Sequence, residues 1–158
     1  MTQTIILLDN IRSVHNVGSI FRTGECAGVS KIYCIGTTPT PIDRFGRKRK
    51  DFLKVSLGSE DLVDWEYLAT DVAVKYIRKF KKDGYKIISI EQRNNSVDLS
   101  VFKRSLNVVY IFGNEVDGVS KDIIEASDIC VEIPMKGEKE SLNVSVTVGI
   151  VLFKKDIC

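Results

Sequence analysis

Apolar residues come in short runs along this chain. "TIILLDNI" (4–11), "KIYCIG" (31–36), "YKIISIE" (85–91), "NVVYIFG" (107–113) and "ICVEIP" (129–134) are rich in β-branched residues and have the length of buried strands. Between them lie stretches with helical spacing: "VGSIFRTGECAG" (17–28), "TDVAVKYIRKFKKDG" (70–84) and "SKDIIEASD" (120–128). In the second of these, Val72, Tyr76 and Phe80 recur every fourth residue, Lys75, Lys79 and Lys82 mark another face, and Gly84 follows as a stop. Ser120 stands where a helix cap belongs, with Asp122 in the first turn after it. Strands alternating with helices predict an α/β fold, a mostly parallel sheet flanked by helices.

The last patterned stretch, "IPMKGEKESLNVSVTVGIVLF" (133–153), is ambiguous. Leu142, Val144, Val146 and Val148 alternate with Asn143, Ser145 and Thr147 as in a half-buried strand. Yet Leu142, Val146, Gly149, Ile150 and Phe153 also form a helical stripe. Periodicity alone leaves both readings open.

Length and composition narrow the class. A chain of 158 residues fits one domain, 1–158, and a domain of that size buries about 68–70% of its unfolded surface. With 44% hydrophobic and 28% charged residues it is not a disordered tail, and no apolar run approaches the roughly 18 residues of a membrane span. "MTQTIILLDN" has no basic leader and an apolar run of four residues, so a cytoplasmic location is expected. Cys26, Cys34, Cys130 and Cys158 include no CxxC pair and His15 is the one histidine, so no zinc site is expected and the thiols read as small hydrophobes or reduced cysteines. The net charge is only +2, but "DRFGRKRKDFLK" concentrates Arg44, Arg47, Lys48, Arg49, Lys50 and Lys54 in one segment. On charge alone such a run is ordinarily a solvated loop.

Three segments carry polar chemistry directly after a strand: "DNIRSVHNVGSIFRTGE", "GNEVDGVS" and "MKGEKESLN". Ligands of open α/β sheets bind outside the carboxyl ends of the strands, so these loops are expected to converge. "GNEVDGVS" is neither a P-loop nor a G-x-G-x-x-G turn, and taken alone Gly113 and Gly118 are turn glycines. His15 has no recognisable nucleophile partner and reads as a surface or capping residue. Arg22 sits among Val17, Ile20, Phe21 and Ala27. A guanidinium on a helix's apolar side needs an anion, which could be Glu25, Glu115 or a substrate. Asn16 either caps that helix or orients Arg22.

Taken together, "NIRSVHNVGSIFRTGECAGV", "YIFGNEVDGVS" and "IPMKGEKESLNVSVTVGIVLF" resemble, in order, the three motifs of the SpoU/TrmH family of the SPOUT superfamily, S-adenosylmethionine-dependent RNA 2'-O-ribose methyltransferases. The segment "GRKRKDFLKVSLGSEDLVDWEY" is also similar to family members. The resemblance implies a C-terminal deep trefoil knot, against the usual rule that chains are unknotted, and a homodimer packed through the knot region. It also resolves the final stretch as a helix, in which Ser145, Thr147 and Gly149 are small enough for close packing. It implies main-chain contacts to the methyl donor at Gly113, Ile133 and Leu142, with Met135 and Val144 as further walls. Asn16, Arg22, Glu115, Ser141 and Asn143 are implied on the substrate side, without a metal.

The family pattern often has glycine where Val116 stands, so the backbone at Val116 is expected outside the positive-φ region. Many relatives carry a further RNA-binding segment that this chain is not expected to have. Selection of a tRNA or rRNA then falls to the domain surface, led by Arg44, Arg47, Lys48, Arg49 and Lys50. Two other readings are a knotted RNA-binding module that has lost catalysis and, against the missing dinucleotide motif, a nicotinamide-dependent oxidoreductase.

Overall fold

The structure, a computed structural model, describes residues 2–154; Cys158 lies outside the described residues. In chain order the elements are β1 (Gln3–Asp9), α1 (Val14–Cys26), β2 (Lys31–Ile35), α2 (Lys50–Ser56), a 3-10 turn (Ser59–Asp61) and β3 (Asp64–Leu68). There follow α3 (Thr70–Lys82), β4 (Lys86–Ile90), β5 (Val97–Asp98), β6 (Asn107–Gly113), α4 (Lys121–Ala126), β7 (Ile129–Glu132) and α5 (Val144–Phe153). The strands form one seven-stranded sheet in the order β3-β2-β1-β6-β4-β7-β5, and every pairing between them is parallel.

A parallel sheet must be covered on both faces, and its strands therefore read as nearly continuous apolar runs. Ile6 and Leu8 of β1 and Val108, Tyr110 and Phe112 of β6 face a core shared with α1, α2 and α5. Their alternates Ile5, Leu7, Val109 and Ile111 face a second core under α3 and α4. α1 and α2 lock together through Phe21 and Phe52, whose rings meet edge to face at 5.1 Å.

Several expectations change at this level. The buried stripe of α3 is Ala73, Ile77 and Phe80, one residue out of step with the expected Val72 and Tyr76. Gly84 does stop that helix, at φ 86°. Ser120 precedes α4 but does not cap it through its side chain; its hydroxyl instead donates to Asp9 Oδ2 at 2.5 Å. β3, β5 and α2 were not foreseen. The final stretch is a helix, and the stripe read from its periodicity is the outward one: Val144, Val148, Val151 and Leu152 are buried, whereas Val146, Ile150 and Phe153 are 50%, 40% and 58% exposed.

Candidate functional site

The carboxyl ends of β1, β4, β6 and β7 meet at one edge of the sheet, and side chains shape the loops there. Asp9, fully buried at the end of β1, accepts from the Ser120 amide at 2.7 Å and from Asn10 Nδ2 at 2.9 Å. Glu91, just beyond β4, accepts from the Val119 amide at 2.9 Å. Two carboxylates thus pin the segment that leads from β6 into α4. Ahead of it, Asn114 Oδ1 accepts from the amides of Val116 (2.7 Å) and Asp117 (3.1 Å), and the main chains of Asn114 and Gly118 bond each other. This turn is wound by its own asparagine, as short polar side chains do. Gly118 takes φ 71° at its close, while Val116 is not among the positive-φ residues.

Glu115 projects from the tip of the turn. Its Oε1 accepts from Asn16 Nδ2 at 2.8 Å, and Asn16 Oδ1 accepts from Asn143 Nδ2 at 3.1 Å. Asn16 is buried and does not cap α1: that is done by Ser13, whose hydroxyl accepts from the Asn16 amide. Asn143 in turn caps α5, its Oδ1 accepting from the Ser145 amide at 2.9 Å. One chain of hydrogen bonds therefore joins the β6–α4 turn, the first turn of α1 and the start of α5. Residues 99 and 127 positions apart in sequence hold one another in place.

Beside this chain lies a recess of about 440 Å³, within the range of small-molecule sites. All five residues expected around the methyl donor line it, Gly113, Ile133, Met135, Leu142 and Val144, together with Glu115 and Ser141. Its remaining wall includes Glu91, Gln92, Asn114, Glu132 and Glu140, which sequence reading did not single out, and Thr147, which sequence reading marks only as a small residue for helix packing. Glu91 carried a signal, a carboxylate at the end of a strand; Glu132 and Glu140 carried none. Among the described residues, four glutamates and no lysine or arginine line the recess, which suits a ligand with an apolar body and a positive charge. Gln92 Nε2 donates to the Glu140 carbonyl at 3.0 Å and so ties the β4 end to the 133–143 loop.

Arg22 does not join this cluster. It is exposed, and no carboxylate of the described residues pairs with it, so of the alternatives for Arg22 the ion pair with Glu25 or Glu115 does not form. At about 100° per residue, Arg22 stands roughly 120° around α1 from Asn16, which explains why Asn16 meets Glu115 and Arg22 does not. His15 is exposed, as expected. A second recess of about 750 Å³ lies across the 114–118 turn, with Arg12, Arg93 and Lys121 in its lining. Burial pushes the Cys34 thiol up to about 12, so that cysteine is a core residue.

In the basic segment, Asp43 accepts from the amides of Phe45 (2.8 Å) and Arg47 (3.0 Å) and from Arg47 Nε (2.9 Å). Lys48 pairs with Asp61 at 3.0 Å and Arg49 faces Asp51 at 3.9 Å. Arg44 and Lys50 pair with no carboxylate among the described residues.

An all-parallel sheet flanked by helices, with a recess built by loops at its carboxyl edge, defines the class of α/β proteins that hold a small ligand at that edge. Within that class the chain belongs to the SpoU rRNA Methylase family, whose family model matches residues 3–153. It is 33% identical over 150 residues to a tRNA (guanosine(18)-2'-O)-methyltransferase of Aquifex aeolicus, with 95% of this chain and 67% of that protein covered. To a 23S rRNA (guanosine-2'-O-)-methyltransferase of Xanthomonas axonopodis it is 31% identical, with 95% and 57% covered. The crystal structure of an AdoMet-bound rRNA methyltransferase from Sinorhizobium meliloti superposes with a TM-score of 0.83 at 28% identity, over 96% of this chain and 54% of that one. The chain thus spans between about half and two thirds of these relatives' lengths.

Proposed function

We propose that this protein transfers a methyl group from S-adenosylmethionine to the ribose 2'-hydroxyl of a tRNA or rRNA. The observation that carries the reading is the meeting of two sets of residues: Gly113, Ile133, Met135, Leu142 and Val144 around one recess, and Asn16, Glu115 and Asn143 in one hydrogen-bonded chain at its rim. When bound, the donor supplies a methyl carbon made electrophilic by its sulfonium. The chain's own part is to place the hydroxyl oxygen in line with that carbon and to stabilise the charge developing on the oxygen. Main-chain groups at Gly113, Ile133 and Leu142 would hold the adenosyl end, and the glutamates would face the positive charge. Ser141, on the recess wall, and Asn143, at the start of α5, position the sugar.

Glu115 uses one carboxylate oxygen on Asn16 and has no described hydrogen-bond partner for the other. That oxygen is available, beside water and phosphate, to take the hydroxyl proton. Arg22 acts as an electrostatic orienter toward an RNA phosphate, since a guanidinium stays protonated and is a poor base. Its guanidinium is exposed, outside the Asn16–Glu115–Asn143 chain and without a carboxylate partner among the described residues, which leaves it open to an RNA phosphate. No described helix is long and apolar enough to cross a membrane, and a cytoplasmic setting goes with an RNA substrate.

The knot and the homodimer belong to the same reading. The segment linking β4 to β6 touches the C-terminal region on both sides: Gln92 bonds Glu140 before α5, and Lys154 after it donates to the Phe102 carbonyl. Those contacts support a C-terminal segment threaded beneath residues 91–106. The outward stripe Val146, Ile150 and Phe153 supports a second copy packed against α5.

The test is labelled-methyl transfer to total RNA from a strain lacking the gene, followed by nuclease mapping. Label on a ribose is expected, whereas label on a base overturns the reaction. Arg22→Ala is expected to lower transfer by about 10²-fold, the scale on which a misplaced substrate slows a reaction, with donor binding in calorimetry unchanged. Robust transfer by that variant removes Arg22 from the mechanism.

A further inference from the structure

At the tip of the basic segment Phe45 is 66% exposed, an unusual place for a large aromatic ring. It is not a loose one. Ile42 and Lys48 form an antiparallel bridge, and Gly46, at φ 76°, turns the chain between them. Asp43 receives three hydrogen bonds from Phe45 and Arg47. The small hairpin thus presents its ring in one orientation. The Arg44 and Arg47 guanidiniums lie against that ring, 4.8 and 5.1 Å from its centroid. Arg47 is tied to Asp43, whereas Arg44 pairs with no carboxylate among the described residues, so no ion pair there opposes its leaving the ring.

The hairpin is also fixed relative to the site. The segment leading into it is tied to the β1 end: the Thr37 amide donates to Asn10 Oδ1 at 3.0 Å, and buried Thr38 accepts from the Ile11 amide at 3.0 Å and donates to the Leu8 carbonyl at 2.8 Å. The segment leaving it becomes α2, which packs on α1 through Phe52 and Phe21. A ring flanked by cations is therefore held at the carboxyl edge of the sheet, on supports shared with the helix that carries Asn16 and Arg22.

We infer that Phe45 is a stacking platform for an unpaired RNA base, with Arg44 moving from the ring to the adjacent phosphate as the base arrives. The inference rests on the proposed action on RNA and deepens it: the substrate presents a single-stranded nucleotide near the modified ribose. Stacking on an aromatic ring tolerates any base and is unavailable to bases inside a duplex, whereas phosphate contacts serve both.

The experiment measures binding of a fluorescein-labelled oligouridylate and of an RNA duplex of the same length, each across a salt series. Phe45→Ala is expected to weaken oligouridylate binding roughly tenfold, to leave duplex binding unchanged and to keep the salt slope, because no charge is removed. Phe45→Trp should bind the oligomer at least as well as the natural chain, and Phe45→Leu, with bulk but no ring, should behave like Phe45→Ala. Arg44→Ala should lower the salt slope on both RNAs. Wild-type affinity in Phe45→Ala or Phe45→Leu, or equal losses on both RNAs, overturns the platform. If the natural chain methylates RNA while Phe45→Ala binds normally, the stacking inference alone fails; a natural chain that binds neither RNA sinks both.

Discussion

A methyl group placed at Gly113 would lie 2.1 Å from the Gly118 carbonyl carbon and 2.2 Å from the Val119 nitrogen. Both are main-chain atoms, so accommodating it means moving the turn that carries Glu115. Gly113→Ala is therefore expected to cost about 1–3 kcal/mol, as overpacking does, and to weaken donor binding as well. Urea unfolding and calorimetry check the two effects separately; wild-type values in both would show that the turn yields freely. Much of the residue-scale picture was visible in the chain, because Asn16, Glu115, Asn143 and the five recess residues sit in quoted segments that converge. Arg22 falls outside the buried stripe that its neighbours form on α1 (Val17, Ile20, Phe21, Gly24), so apolar surroundings in sequence did not mean a place on the helix's apolar side. Phe45 passed unnoticed because its neighbours' charges masked a single ring.

At the scale of elements, legibility followed burial. Strands buried on both faces read clearly, while β3, "DWEYL", did not, since an edge strand carries polar residues such as Asp64 and Glu66. α5 is apolar nearly all round, so no pattern within one chain could say which stripe faces inward. The β2–β3 edge also carries a testable pair: Lys31 Nζ lies 2.8 Å from Glu66 Oε2, both partly exposed. The Lys31 hydrogen bond holds the Glu66 carboxyl below its ordinary 4.5, so the pair's stabilisation is full above that value and disappears as pH falls through the lowered one. The Glu66 hydrogen bond, against some desolvation, raises Lys31 above 10.5, so on the alkaline side the contribution is lost as pH rises through the raised value. Given the exposure, about 0.5 kcal/mol is at stake. Glu66→Gln should flatten the acid limb of stability against pH by that amount in urea titrations; an identical limb would assign it to other groups.

For the molecule as a whole, the stripe of Val146, Ile150 and Phe153 is the feature that one chain leaves unfinished. If the proposed dimer forms through this stripe, the natural chain is expected to sediment as a dimer and Ile150→Asp as a monomer, and a natural chain that sediments as a monomer would remove the assembly. The sheet order has another consequence, for how the protein is made. β1 lies between β2 and β6, and Gln3 is in register with Asn107. At roughly 5–20 residues per second, the ribosome takes about 5–20 s to make the intervening stretch. Throughout that interval one edge of β1, a strand that the finished sheet buries, is bare, an invitation to pair with another nascent chain. Yield in a cell then depends on how well that edge is shielded while translation continues, and two variants of equal final stability can differ in how much of each is recovered.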